Sequence, residues 1–269
     1  MWRFRSRPVV ALLAGLVVAA VGVAFFLMRD SAAPANNGEP GRFESWNPVT
    51  PSSSYRVVIR HVKRGPTPPA QAAGGEISML PPLDALRTIV ISVDANCEPS
   101  ATMTLTDNAT GIPWYETRTT RDKNVVEFFP RPGIVVTDEN RFLDLPAAPG
   151  PGLDAIGCGK GYEGPAADWE ARLSKFGASR TGSTEYEGEP VSRYESTAPA
   201  DAVARGSLIQ GSDGRPADFE DVTEVRSVWL VHEGAGFVVS TSSFLVFRDG
   251  HEELFESEEI LESTVTEAP

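Results

Sequence analysis

The sequence predicts a mainly antiparallel β domain of the α+β kind, standing behind one N-terminal apolar helix. Three observations carry this. The first is a long uncharged apolar run near the N-terminus. The second is a series of short β-branched and aromatic runs separated by turn-forming residues from Arg87 onward. The third is a single stretch with helical spacing, Pro165–Phe176, placed between two groups of such runs. Short turns make neighbouring runs antiparallel, and the one helix would press its apolar stripe onto the sheet; a β-sandwich is an alternative arrangement.

From Pro8 to Met28 run 21 residues with no charged side chain. At about 1.5 Å per residue they match the ~30 Å hydrocarbon layer of a bilayer. Residues 1–7 precede the span with Arg3, Arg5 and Arg7, and this positive flank places them in the cytoplasm and everything after the span outside. A cleaved signal peptide is the rival reading, with small residues at Ala33 and Ala35. However, the apolar run is longer than the usual signal core, and Pro34 sits inside the cleavage spacing. A retained anchor is therefore expected, giving a single-pass cell-membrane protein with an extracytoplasmic C-terminal part. Residues 29–54, rich in Pro, Gly, Ser and Asn, read as a linker. Residues 55–269 read as the extracytoplasmic domain.

Charge narrows the partners. The chain carries a net −13, and residues 1–29 hold four arginines and no acid; the remaining 240 residues bring 20 basic against 37 acidic side chains, −17. Such a surface repels phosphate backbones, so nucleic acid is excluded and the expected partners are the bilayer, an apolar ligand or an envelope protein.

Strands are expected at 55–62, 87–94, 101–106, 113–120, 123–129, 133–138 and 141–145, with turn residues such as Asp107–Gly111 between them. Whether the strand at 55–62 joins the main sheet stays open, because residues 64–75 after it are Gly-, Pro- and Ala-rich. The helix is opened by Pro165, has Asp168 and Glu170 near its start, and is closed by Gly177; Trp169, Leu173 and Phe176 form one apolar stripe. A hairpin turning at Glu187-Gly188 follows. The last strands, 223–232, 237–248 and 251–257, turn at 233–236 and at Asp249-Gly250, where Asp-Gly favours the mirror-image two-residue turn. Residues 258–265 add an edge strand or fray.

Cys97 and Cys158 are the only cysteines, and in an oxidising exterior they form a disulfide. They lack the Cys-x-x-Cys spacing of a redox or zinc pair, and His61, His232 and His251 are scattered, so no metal site and no cofactor is expected. Glu252, Glu253, Glu256, Glu258, Glu259 and Glu262 read as a solvated face guarding a sheet edge. No nucleophile elbow or triad order can be picked out, and no catalytic residue is assigned.

The run GIVVTDENRFLDLP, the helical interruption, and then GEPVSRYES with VRSVWLVHEGAGFVVSTSSFLVFRDGHEELFES is similar to the lipoprotein-carrier superfamily of LolA, LolB, LppX and RseB-like proteins over residues 87–262. The resemblance implies a strongly curved, incomplete barrel with a non-catalytic role in binding apolar ligands or in envelope sensing. It would make Trp169, Leu173 and Phe176 the plug, and Trp229, Phe237 and Phe244 the lining of an apolar interior. Two departures stand out: the chain opens with a strand rather than an amphipathic helix, and no lipidation cysteine follows the apolar run. The alternative is an envelope structural or protein-interaction module with a solid core.

Overall fold

The computed structural model describes residues 43, 50–64, 82–145, 158, 169–200, 221–234 and 237–267. The apolar span 8–28 and most of the linker 29–54 lie outside the described residues, as does the helix start at 165–168. Among the described residues no helix is long and apolar enough to cross a membrane.

Eleven antiparallel strands form one sheet. They are β1 (Ser53–Lys63), β2 (Asp84–Val93), β3 (Pro99–Asp107), β4 (Pro113–Thr119), β5 (Asn124–Phe128), β6 (Phe142–Leu145), β7 (Ser179–Tyr186), β8 (Glu189–Pro199), β9 (Val222–His232), β10 (Val238–Phe247) and β11 (Glu252–Glu267). Their spatial order is β6-β5-β4-β3-β2-β1-β11-β10-β9-β8-β7. Each half is therefore an up-and-down meander, and the first and last strands join the halves. The sheet is open, with β6 and β7 at its two edges. A single sheet replaces the sandwich alternative.

Period-two patterning explains which face is buried. In β2, Ala85, Arg87, Ile89, Ile91 and Val93 are buried and alternate with partly buried residues; β3 repeats this with Pro99, Ala101, Met103 and Leu105. Register aligns these rows across neighbours: Val57 of β1 stands beside Ile89, Ile89 beside Met103, and Met103 beside Thr117. On the opposite face of β3, Thr102, Thr104 and Thr106 supply β-branched side chains that tolerate water.

The place of the strand at 55–62 is answered, the turn at Glu187-Gly188 is found as expected, and the acidic edge, the strand at 133–138 and the mirror-image turn at Asp249-Gly250 are corrected. The strand at 55–62 is central to the sheet, because β1 pairs with both β2 and β11. Its partner is the acidic stretch, so β11 is an interior strand and not a guarded edge. Residues 133–138 form no strand; Pro130 and Pro132 flank Arg131, which makes an isolated bridge with Ile134, and Gly133 has a φ of 79°. At Glu187-Gly188 both residues take positive φ, 54° and 86°, as the mirror-image turn demands. Asp249-Gly250 does not form that turn. Only Gly250 has positive φ, 87°, and Phe247 and His251 bracket a three-residue loop, with the Asp249 carboxylate accepting the His251 amide at 3.1 Å. The side-chain acceptor holds Asp249 in an ordinary conformation, and glycine alone absorbs the left-handed residue.

The disulfide joins Cys97, in the β2–β3 turn, to Cys158, 61 residues later, with Cα atoms 5.3 Å apart. Cys97 holds a φ of 66°, in a turn where the Asp94 carboxylate accepts the amides of Asn96 and Glu98 at 2.8 and 2.9 Å. The crosslink pins the connection between the two edge strands to the N-terminal half.

Two stability predictions follow from the packing. Leu105→Ala, at a residue 1% exposed, is expected to cost about 2–5 kcal/mol in urea unfolding of the full chain in mild detergent. Cys97→Ser is expected to cost roughly 4 kcal/mol by the loop-closure argument, and reduction of the parent chain should reproduce that loss.

Candidate functional site

The buried face of the sheet carries one continuous apolar cluster. It takes in Tyr55, Val57 and Ile59 of β1, Ile89 and Ile91 of β2, Met103 and Leu105 of β3, and Val126 and Phe128 of β5; Tyr194 and Val231 add the C-terminal half. The helix α1 (Trp169–Leu173) sits on this cluster and is followed by one 3₁₀ turn, Ser174–Phe176. Trp169 is 5% exposed and Leu173 2%.

Of the six side chains predicted to bind a ligand, four are brought together. Trp169, Leu173 and Phe237 belong to the cluster, and Trp229, partly buried, packs against it. Phe237 also meets Phe43 and His232 with ring centroids 6.4 Å from each. Phe176 is 61% exposed. The α-helix ends at Leu173, and Phe176 is the last residue of the 3₁₀ turn that follows. Gly177, at a φ of 72°, then turns the chain, with the Ala178 amide donating to the Leu173 carbonyl at 3.0 Å. Phe244 is also separated from the others. Trp229 stands beside Thr241 and Arg226 beside Phe244, three residues on, which puts Phe244 on the opposite face. There the Arg226 guanidinium lies 4.7 Å from its ring and bonds Glu252 and Glu195. These bonds hold both carboxyls below the usual carboxylate range: burial pushes Glu195 up, but Arg193 and Arg226 outweigh it.

The cluster is not apolar throughout, and this the sequence reading missed. Where β1, β2 and β11 meet, four ionisable side chains enter it. His61 Nε2 lies 2.7 Å from Glu256 Oε1, and Arg87 Nη1 donates to Glu258 Oε1 at 3.2 Å. His61 and Arg87 are 5% and 8% exposed. Burial alone would raise the Glu256 carboxyl; the His61 hydrogen bond, with the charges of His61, Lys63 and Arg87, lowers it below its ordinary value. The register continues this polar row into the other half: Glu256 stands beside Ser243, Ser243 beside Ser227, and Ser227 beside Ser196. The Ser227 and Ser243 hydroxyls are 3.4 Å apart. The signal available in the sequence was the parity of Arg-His-Val-Lys in β1, which puts His61 on the same face as Val57 and Ile59. Among the described residues no group of three or more His, Cys, Asp or Glu is disposed to hold a metal ion.

A second buried arginine, Arg131, lies 4.2 Å over the Trp114 ring and donates to the Trp114 carbonyl at 3.1 Å. Burial pushes its pKa down and that of nearby Tyr115 up.

Similar solved structures include the Pseudomonas aeruginosa MucA/MucB complex, at 11% identity and a TM-score of 0.35, covering 81% of this chain and 53% of that one. The Mycobacterium tuberculosis lipoprotein LppX matches at 15% identity and 0.35, covering 80% and 85%. LprF from Mycobacterium bovis matches at 12% and 0.33, covering 78% and 83%. LppX is one of the proteins named in the resemblance drawn from the sequence. The chain spans about half the length of the chain it matches in the MucA/MucB complex. No family model matches the sequence, and no curated protein does.

Because the Glu256 carboxyl is lowered in the folded chain, its ionised form contributes stability above the ordinary carboxylate pKa. That contribution is lost as pH falls through the folded value. Unfolding free energy followed from pH 6 to pH 3, a window set by the ordinary carboxylate pKa of about 4.3, should therefore fall. Glu256→Gln should flatten the slope and lower stability chiefly at the upper end.

Proposed function

We propose that this protein is a membrane-tethered, extracytoplasmic and non-catalytic binding domain for an apolar or amphiphilic ligand. One observation carries the reading: a single open sheet of eleven strands keeps one face apolar over almost its whole width, and the helix described on that face is five residues long. Flat, such a sheet would be about 48 Å across, while that helix is about 7.5 Å long. A curved sheet, concave on the apolar side, reconciles the two. A concave apolar face beneath a small helix whose apolar contacts are two side chains, Trp169 and Leu173, is a place where an alkyl chain can replace protein contacts.

The tether is residues 8–28, and the polar linker holds the domain off the bilayer. Such a protein handles or senses apolar molecules locally, at the membrane that holds it. An envelope structural or protein-interaction module is the second reading. Its support is the depth to which Trp169 and Leu173 are buried, as a solid core requires.

Native mass spectrometry of the full chain, released from mild detergent, should show a bound apolar molecule that Leu173→Glu removes. A bare polypeptide mass in the parent chain would select the second reading. N-terminal sequencing should recover residues 1–30; a start near Asn36 would show a cleaved leader instead.

A further inference from the structure

We infer that the polar row within the buried face selects the ligand's head: an amphiphile with an uncharged, hydroxyl-bearing head and an alkyl tail. The inference rests on the binding reading above and names the ligand class for that same face.

The starting point is an orphaned atom. His61 is 5% exposed, its Nε2 is engaged with Glu256, and its buried Nδ1 has no hydrogen-bond partner among the described residues. A hydroxyl, which both donates and accepts, can satisfy that nitrogen whether or not it carries a proton. The Thr117 hydroxyl, on the same face beside Met103 and Val126, is the other buried polar side-chain atom without a partner among the described residues. Unmatched buried polar atoms are costly, and natural proteins keep few of them. Here they occur on the face that the apolar cluster occupies.

The surroundings of His61 define what would satisfy it. The unmatched nitrogen needs a polar partner. The Ser196, Ser227 and Ser243 row supplies groups that both donate and accept, as a hydroxyl-rich head requires. The charged groups are committed to one another: Arg87 bonds Glu258, His61 bonds Glu256, and Lys63, beside Glu256 in the register, acts on it through its charge. No carboxylate in the row is left over to hold an ionic head, and desolvating one there would be uncompensated. Along β1 the same face runs from Tyr55 through Val57 and Ile59 to His61, apolar first and polar last, as an amphiphile does.

The test uses the full chain in lipid nanodiscs and three photo-crosslinking probes that share one long diazirine-bearing alkyl tail. Their heads are a glycerol ester, a carboxylate and a quaternary ammonium. The glycerol probe should label peptides from β1 and β9–β11 about fivefold more than the other two, the scale of one net hydrogen bond. His61→Phe should abolish that preference while tail labelling persists. His61→Asn, which restores a hydrogen-bonding group near the position of Nδ1, should recover it. Ser227→Ala with Ser243→Ala should weaken the preference and serves as the second variant if His61→Phe fails to fold. Equal labelling by all three heads, or a preference that survives His61→Phe, overturns the inference and leaves the binding reading standing. Labelling confined to residues 8–28 with every head overturns the binding reading itself.

Discussion

The pairing of β1 with β11 is the contact on which the rest of the structure depends. Without it the chain is two meanders, β1–β6 and β7–β11, each with an apolar face and an unpaired edge where the two would meet. Joining the first strand to the last closes nearly the whole domain as a loop, and that entropy must be met before the contacts reward it. Opposite charge directs the pairing. β1 and its flank carry Arg56, Arg60, His61, Lys63 and Arg64, while β11 carries Glu252, Glu253, Glu256, Glu258, Glu259 and Glu262. Arg56 pairs with Glu262, His61 with Glu256, and Arg64 with Glu253, while Arg87 reaches Glu258 from β2. Each cross-strand pair is worth only about 0.2–1 kcal/mol, but together they disfavour every other register, because a one-residue slip would turn the charges onto the wrong face.

The same seam explains why polar groups sit inside an apolar face. The strands that must find each other over the longest chain distance carry the charges, and alternation sends some of these inward. Glu256 and Glu258 follow Val265, Ser263 and Ile260 along β11, and two bulges, opposite Val58/Ile59 and opposite Ser243/Phe244, adjust its course between its neighbours. The inward carboxylates face His61, Lys63 and Arg87, so no carboxylate is buried without a basic partner. A device for strand pairing and a patch able to recognise a head group are thus the same residues.

The edges are managed differently. β7 is exposed along almost its entire length, with polar and charged side chains and a register shift between Arg180 and Gly182 that discourages pairing with another chain. β6 is four residues long, and beside it the Arg141 guanidinium covers Phe142 and bonds Glu127, which also holds Arg118. Between these edges runs the connection that the disulfide ties to the β2–β3 turn and that bears α1.

By itself the sequence determined what depends on near neighbours. The alternation in β2–β5 and β8–β10, the turn at Glu187-Gly188 and the buried pair Trp169 and Leu173 follow from periods of two and 3.6, and the cysteine pair from counting and compartment. Long-range pairing was decided only by the tertiary structure. The acidic stretch resembles a solvated edge until β1 is set beside it, because a run of glutamates carries no mark of the arginines some 200 residues earlier that will meet it. Phe176 looks like the third member of a stripe until the α-helix ends at Leu173, and Phe244 looks like lining until register puts it three residues from Trp229's partner. In each case side-chain type was legible, and the face it occupies was set by a partner strand or a turn far from it in the chain.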